Sequence, residues 1–288
     1  MMEGGIVTRY VALFGDPVAG NPTSRMQNAA FEAAGLDWRY LDIHVEAAAL
    51  PAAVAAARVL GFDGLNLTIP HKVAVVPLLD RLERSAEVSG AVNTVRRESD
   101  GRLVGLNTDG LGFLLAIRDT GIDPAGSTVV LLGAGGAARA VAVELALAGA
   151  VRIIVANRGS DRRTTLVELI RERTGAAADG IEWTGQLEPP SCDILVNCTP
   201  IGMGSGGDTH VPPVRLDRLP SSVVVCDLNP DAADTAFLRA ARQRGHRTLG
   251  GLPMLARQGA AGFEAWTGRP APLDVMISVL ESVGAGPP

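Results

Sequence analysis

An apolar stretch that runs into a glycine-rich turn constrains the fold of this chain more than any other feature. Residues 129–138 read Val-Val-Leu-Leu-Gly-Ala-Gly-Gly-Ala-Ala. The apolar start predicts a buried strand, and the alanine-rich segment 137–148 predicts a helix. Strand, Gly-x-Gly-x-x-Ala turn and helix, in this order, predict a doubly wound α/β domain of the Rossmann type.

The same turn predicts a site for a dinucleotide. Gly133 permits the tight turn, Gly135 lets the backbone approach a pyrophosphate, and the small Ala138 lets helix and strand pack closely. The helix N-terminus offers free N–H groups and the positive end of its dipole to phosphates. The other turn residues expected to line this site are Ala134, Gly136 and Ala137. A glycine turn without a cofactor is the alternative interpretation.

The end of the next predicted strand indicates which dinucleotide binds. An NAD site usually carries Asp or Glu there, where it accepts hydrogen bonds from the ribose 2′-hydroxyl. This strand ends instead in Asn157 and Arg158, and Arg162 and Arg163 follow. Because a guanidinium suits a 2′-phosphate in charge and geometry, NADP is the expected cofactor. Asp161 weakens this prediction, and an ordinary solvated helix start is the alternative.

Alternating strand and helix patterns also fill the first hundred residues. They predict a second, mostly parallel α/β domain. Short helices are expected at 73–79 and 81–87, and two longer helices, at 254–266 and 273–283, end the chain.

Composition excludes several classes of function. Net charge is −5 and no block of Lys and Arg stands out, so a nucleic-acid partner is not expected. No apolar run reaches the length of a membrane span, and the first residues lack the pattern of a signal peptide. The three cysteines form no Cys-x-x-Cys pair, and the four histidines lack metal-ligand spacing. We therefore expect a cytoplasmic soluble protein without a metal.

Lys72 is the only lysine of the chain, and the other basic side chains are arginine. A lysine can give up a proton and an arginine cannot, so this position is a candidate proton-handling group. An accident of composition is the alternative, because a single residue is a weak signal.

Several motifs together resemble the shikimate dehydrogenase family, including its shikimate and quinate dehydrogenases. They occur in the family's order and span nearly the whole chain: Asn66-x-Thr68-x-Pro70-x-Lys72, Gly90-Ala91-Val92-Asn93-Thr94, Asn107-Thr108-Asp109-Gly110-x-Gly112, the glycine turn, Asn157-Arg158, Asn197-x-Thr199-Pro200-x-Gly202-Met203 and Gly251-x-x-Met254-Leu255-x-x-Gln258.

The resemblance implies a two-domain α/β enzyme that transfers hydride reversibly between NADP(H) and a ring carbon. Residues 1–108 and 252–288 are expected to form the substrate domain, with the C-terminal helices returning to it. Residues 109–251 are expected to form the Rossmann domain. The implied reaction is reduction of 3-dehydroshikimate to shikimate, in aromatic amino acid biosynthesis, by a monomer or homodimer.

The resemblance also implies roles for individual residues. Lys72 and Asp109 correspond to the catalytic pair, and a lysine close to a carboxylate can shuttle the proton of an alcohol during hydride transfer. Thr199, Met203 and Gly251 correspond to positions near the cofactor. His71 is expected to be structural. Residues expected to bind the substrate are Asn21, Thr23, Asn66, Thr68, Asn93 and Gln258.

Two departures from the family concern the substrate carboxylate. The family carries Ser-x-Ser in the loop after the first strand, where this chain has Asn21 and Thr23. It also carries a tyrosine where this chain has Pro230, and the only tyrosines, Tyr10 and Tyr40, lie far away in sequence. An acid can still bind through Asn21, Thr23 or Arg25. Quinate, an amino analogue or another hydroxy acid is therefore an alternative substrate to shikimate.

Two hypotheses from other classes are weaker. A non-catalytic sensor of NADP or shikimate should lose the catalytic pair first, and this chain keeps both residues. A methylenetetrahydrofolate-type dehydrogenase has a similar architecture but a Tyr-x-x-x-Lys pattern, and Thr68 occupies the tyrosine position here.

Overall fold

A computed structural model describes residues 8–202, 214–229 and 234–284, with the side chains of the last two residues left out. The described residues divide into two compact units. The first unit runs to Thr108 and resumes at Gln258, and the second runs from Asp109 to Arg257. Within the described ranges, no helix is long and apolar enough to cross a membrane.

The first unit is built on a mixed six-stranded sheet with the order β2-β1-β3-β5-β6-β4. Strands β1, β2 and β3 are parallel, whereas β5 runs antiparallel to both β3 and β6. The strands are β1 (Arg9–Gly15), β2 (Trp38–His44), β3 (Gly64–Leu67), β4 (Arg81–Leu82), β5 (Thr94–Arg97) and β6 (Leu103–Leu106).

Helices cover both faces of this sheet because its strands carry apolar side chains on both faces. On one face, Leu50 and Val54 of α2 pack on Ala12 and Phe14 of β1 and their neighbours. On the other, Phe31 of α1 stacks on Phe263 of α9, with ring centroids 5.4 Å apart. The helices are α1 (Thr23–Ala33), α2 (Leu50–Leu60), α3 (His71–Ala74), α4 (Arg84–Ser89), the C-terminal part of α9 (Gly251–Thr267) and α10 (Leu273–Gly284).

The second unit contains an entirely parallel sheet of six strands with the order β12-β11-β10-β7-β8-β9. Its central strands are apolar at nearly every position, since both faces are buried. The strands are β7 (Thr128–Leu132), β8 (Arg152–Asn157), β9 (Ala177–Glu182), β10 (Ile194–Asn197), β11 (Val224–Asp227) and β12 (Thr248–Leu249), and the helices are α5 (Thr108–Asp119), α6 (Gly136–Leu147), α7 (Ser160–Arg173) and α8 (Ala236–Arg242).

The first sheet is mostly parallel, as predicted, with β5 running against its other strands. One local prediction from sequence is wrong. Residues 81–82 form a strand beside β6 rather than a helix start. Gly105 explains this pairing, because a Cβ there would lie 2.7 Å from the Leu79 side chain and 2.8 Å from that of Leu82. Strand β9 has no clear apolar alternation and was not expected.

Candidate active site

Three of the expected substrate-binding residues meet in one buried cluster of the first unit. Asn66 lies on β3, Asn93 just before β5, and Gln258 on α9. The Asn66 amide nitrogen donates to the Asn93 backbone carbonyl at 2.9 Å, and the Asn93 amide nitrogen donates to Gln258 Oε1 at 3.4 Å. The fold therefore assembles amide side chains from three distant segments, and amides suit a polyhydroxylated ligand because each carries donor and acceptor.

Sequence reasoning missed three further members of this cluster, Tyr40, Thr94 and Thr108. The Tyr40 hydroxyl lies 2.6 Å from Asn66 Oδ1, and the Thr94 hydroxyl lies 2.9 Å from the Asn66 amide nitrogen. The two threonine hydroxyls lie 3.0 Å apart. A signal for Tyr40 existed, because Trp38 and Tyr40 alternate on β2 with exposed residues, and an inward-facing tyrosine usually needs a hydrogen-bond partner.

Lys72 lies on the short helix α3, directly after β3 and its loop. Its side chain is half-buried, and its carbonyl accepts a hydrogen bond from Val92 N at 2.7 Å, which ties α3 to the residue next to Asn93. The helix begins where the Thr68 carbonyl accepts from His71 N. His71 is fully buried with Nε2 2.7 Å from the Val45 carbonyl, which fits its expected structural role.

The loop before α1 carries the residues that replace the family's serines. Asn21 Oδ1 accepts from Thr23 N at 2.9 Å, so this oxygen is used to start the helix and the amide nitrogen is left to donate. Thr23 is buried, and no described residue hydrogen-bonds to its hydroxyl. Arg25 is exposed, and two helical positions from Thr23 put it on nearly the opposite face of α1.

Asp109 lies in the first turn of α5 and is half-buried. It belongs to the second unit, whereas Lys72 belongs to the first. The helix packs tightly on α6 at the next residue: a Cβ on Gly110 would lie 2.4 Å from the Ala140 carbonyl oxygen. This glycine therefore fixes the start of α5, and with it the backbone that carries Asp109.

The glycine turn between β7 and α6 has the geometry of a phosphate site. Gly133 has φ +106°, in the region that favours glycine, and a Cβ there would lie 3.0 Å from the Thr199 methyl. A Cβ on Gly135 or Gly136 would meet nothing within 4 Å. No side chain of the described residues caps α6, so its first N–H groups are left without a capping side chain. These features fit a bound pyrophosphate.

The end of β8 offers cations beside this turn. Among the described residues, neither Arg158 nor Arg162 has a hydrogen-bond or ion-pair partner, and both are exposed. Arg163 makes contacts within the protein instead. Its guanidinium donates to the Asn157 backbone carbonyl at 2.7 Å, and the aliphatic part of its side chain packs on Gly180. The Asn157 amide nitrogen donates to the Gly159 carbonyl, which shapes the turn that presents Arg158.

A buried carboxylate ties together the loops after β10 and β11. Asp227 is fully buried and accepts from Asn197 at 3.0 Å and from the Thr235 hydroxyl at 2.7 Å. Burial raises the pKa of this carboxyl, and the hydrogen bonds from Thr235, Asn229 and Asn197 oppose the shift. The side-chain Oδ1 of Asn197 accepts from the Thr199 hydroxyl at 2.6 Å, which fixes Thr199 beside the glycine turn.

Of the remaining residues expected near the cofactor, the structure describes Gly251 but not Met203. A Cβ on Gly251 would lie 2.6 Å from the carbonyl oxygens of Leu228 and Asn229, so the close approach of backbone requires glycine there. Met203 and Pro230 lie outside the described residues.

Comparisons with known proteins identify the family. Residues 13–95 match the profile of the shikimate dehydrogenase substrate binding domain, and residues 251–281 match that of the shikimate 5′-dehydrogenase C-terminal domain. A shikimate dehydrogenase (NADP(+)) of Methanopyrus kandleri is 45% identical over 279 residues, covering 95% of this chain and 96% of its own. The chain belongs to the shikimate dehydrogenase family. It is thus an oxidoreductase with the two-domain α/β fold of that family.

The solved structures that are similar to this chain include enzymes named for different activities. A shikimate dehydrogenase in complex with NADP+ superposes with a TM-score of 0.87 at 35% identity, covering 96% of this chain and 95% of its own. The ligand-free 5-ketofructose reductase of Gluconobacter sp. strain CHM43 superposes with a TM-score of 0.92 at 43% identity, covering 97% and 100%. Membership of the shikimate dehydrogenase family therefore leaves more than one carbonyl substrate to consider.

Proposed function

We propose that this chain is an NADP-dependent shikimate dehydrogenase, which reduces 3-dehydroshikimate to shikimate reversibly. The observation that carries the proposal is the buried meeting of Asn66, Asn93 and Gln258, in a chain whose relatives are shikimate dehydrogenases at 41–45% identity. Residues 1–108 and 252–288 would hold the substrate, and residues 109–251 the cofactor.

The proposed cofactor is NADP, held at the glycine turn of β7 and α6 and at the end of β8. NADPH supplies the hydride of the reaction when it is bound. Gly133, Ala134, Gly135, Gly136 and Ala137 would contact the pyrophosphate, and Asn157, Arg158 and Arg162 the 2′-phosphate side. Thr199, Met203 and Gly251 would line the rest of the site.

Lys72 and Asp109 are proposed to handle the proton. Reduction of a ketone requires a proton at the oxygen as hydride reaches the carbon, and oxidation requires its removal. Lys72 would donate and accept that proton, and Asp109 would keep the ammonium charged and oriented. Asn21, Thr23 and Thr68 are proposed to hold the remaining polar groups of the substrate.

Arg158→Ala should weaken NADP binding and spare NAD binding. Loss of a charge-assisted pair to a phosphate typically costs about 1.5–3 kcal/mol, or roughly a 10- to 100-fold rise in KM for NADP. The measurement is KM for NADP and for NAD with one substrate. Arg152→Ala is the matched control, because Arg152 lies at the opposite end of β8 and pairs with Asp179. Equal changes for both cofactors would remove the 2′-phosphate role.

A keto-sugar reductase is the second candidate function, and two observations favour it. The structural similarity to the 5-ketofructose reductase is high, and 5-ketofructose has no carboxylate. The chain also lacks the family's serines in the loop before α1, where it has Asn21 and Thr23. A ligand without a carboxylate would need no anion clamp there.

The two candidates are separated by a substrate panel with NADPH and purified protein. The panel contains 3-dehydroshikimate, 3-dehydroquinate and 5-ketofructose, and kcat/KM is measured for each. The proposal expects the highest value with 3-dehydroshikimate. A value at least a thousandfold higher with 5-ketofructose would replace it by the keto-sugar activity, and a preference for 3-dehydroquinate would support the quinate alternative.

A further inference from the structure

Hydrogen bonds to backbone groups fix which atoms donate and which accept in the buried cluster around Asn66. The Asn93 carbonyl can only accept, so the Asn66 group 2.9 Å from it must be the amide NH2. Asn66 Oδ1 then faces Tyr40, whose hydroxyl must donate across the 2.6 Å contact. The second amide hydrogen of Asn66 donates to the Thr94 hydroxyl.

The same reasoning orients the far side of the cluster. Thr108 N can only donate, so the Asn93 atom 2.7 Å from it is the side-chain Oδ1. The Asn93 NH2 then donates to the Thr108 hydroxyl at 3.0 Å and to Gln258 Oε1 at 3.4 Å. Gln258 must therefore accept this hydrogen bond with Oε1, which also lies 3.4 Å from the Thr108 hydroxyl.

The two threonines complete the chain. Thr94 accepts from Asn66, and the acceptor that the described residues offer to its own hydrogen is the Thr108 hydroxyl oxygen, 3.0 Å away. Thr108 in turn has its hydrogen for Asn93 Oδ1 at 3.2 Å or Gln258 Oε1 at 3.4 Å. Donation therefore runs from Tyr40 through Asn66 and Thr94 to Thr108, and the Asn93 NH2 separately donates to Gln258.

This direction leaves opposite groups at the two ends. Both hydrogens of Asn66 are used, so only the second lone pair of its oxygen remains for a ligand. The Gln258 oxygen is used, so only its NH2 remains, and nothing in the described part of the chain accepts from it. Asn66 and Gln258 keep 7% and 8% of their surface exposed, whereas Thr94 and Thr108 keep 0% and 1%.

We propose that Tyr40 is a positioning residue, which holds the Asn66 side chain by donating to its Oδ1, in a cluster whose hydrogen bonds leave Asn66 as an acceptor and Gln258 as a donor towards the substrate. The substrate must then offer a hydroxyl hydrogen to Asn66 and an oxygen lone pair to Gln258, as a polyhydroxylated ring or sugar does. The identity of the substrate in this inference rests on the proposed function. The direction of the hydrogen bonds rests on the cluster alone.

Tyr40→Phe tests the start of the chain. Loss of the hydroxyl removes one of the three hydrogen bonds that hold the Asn66 amide in place, so KM for the preferred substrate should rise about three- to tenfold, as expected for one hydrogen bond. KM for NADPH should stay unchanged. Tyr10→Phe is the matched control, because Tyr10 is 41% exposed and packs only its ring on Phe62. An unchanged KM in Tyr40→Phe, or an equal rise for substrate and NADPH, would overturn the positioning role.

Gln258→Glu and Gln258→Ala test the far end. A glutamate keeps the inner oxygen that accepts from Asn93 and Thr108 but turns the outer donor into an acceptor. It should therefore raise KM for the substrate more than tenfold and exceed the effect of alanine, which merely removes one hydrogen bond. A glutamate variant that binds substrate as well as the wild type would contradict the donor assignment.

A titration tests Tyr40 without any substrate. Burial raises the pKa of Tyr40 well above its ordinary value near 10, and Asp42 adds to the shift. Tyr10→Phe leaves Tyr40 as the single tyrosine of the chain. Absorbance at 295 nm should show no tyrosinate until well above pH 10, and ionisation at the ordinary value would refute the buried donor. If the wild type turned over no substrate of the panel described above, the proposed function would be refuted. The titration would still show whether the Tyr40 hydroxyl stays protonated as a buried donor.

Discussion

Lys72→Ala reduces kcat by about a hundredfold or more, the range typical of losing a general acid or base. The reason is that no second lysine exists in the chain and no arginine can give up a proton in its place. The dissociation constant for NADP, measured by fluorescence titration, stays unchanged because Lys72 lies in the first unit and the glycine turn in the second.

Two variants sharpen this prediction. Lys72→Arg keeps the positive charge, but a guanidinium does not give up its proton near neutral pH, so its kcat should fall nearly as far. Val73→Ala, at the exposed neighbouring position of α3, should turn over like the wild type. Activity of Lys72→Ala within about tenfold of the wild type would rule out the proton-handling role.

Gly64→Ala destabilises the first unit by about 3 kcal/mol, the upper range for overpacking a core. A Cβ there would lie 2.2 Å from Nε1 of the Trp266 indole and 2.6 Å from the Val95 carbonyl oxygen. The indole N–H donates to that same carbonyl at 2.9 Å, and the ring packs beside Tyr40. The alanine must therefore displace a buried hydrogen-bonded tryptophan from the sheet.

Gly135→Ala is the matched control for the glycine substitution. A Cβ at Gly135 meets nothing within 4 Å, and the residue has φ −86°, so alanine fits without strain. Unfolding in urea, followed by tryptophan fluorescence, should show a lower midpoint for Gly64→Ala and the wild-type midpoint for Gly135→Ala. NADP affinity should fall in Gly135→Ala alone, since the methyl occupies the space of the pyrophosphate. A wild-type midpoint for Gly64→Ala would contradict the packing account.

The second unit could be predicted closely from sequence because its signals are local. An apolar strand, a glycine turn and an amphipathic helix follow one another within residues 128–147, and the strand needs no distant partner to be recognised. Strand β9 escaped prediction because its residues have weak strand preference, and its pairing with β8 decides its structure.

The substrate cluster could be predicted only in part, since its geometry is made by distant segments. Asn66, Asn93 and Gln258 stand in motifs, and the structure brings them together. Tyr40 stands in no motif, and it reaches Asn66 only because β2 and β3 flank β1 in the sheet. The contact between Tyr40 and Asn66 depends on the strand order, so the spacing of residues along the chain could not predict it.

The most direct test of the account is the rate of NADPH formation from shikimate and NADP+ by the purified protein, with Lys72→Ala as the blank. A shikimate dehydrogenase should reach a kcat/KM of about 10⁴ M⁻¹ s⁻¹ or higher, the usual lower range for enzymes on their own substrates, and the variant should be at least a hundredfold slower. A rate with shikimate below roughly a thousandth of that with another ring acid or a keto sugar, a gap of about 4 kcal/mol in transition-state binding, would contradict it.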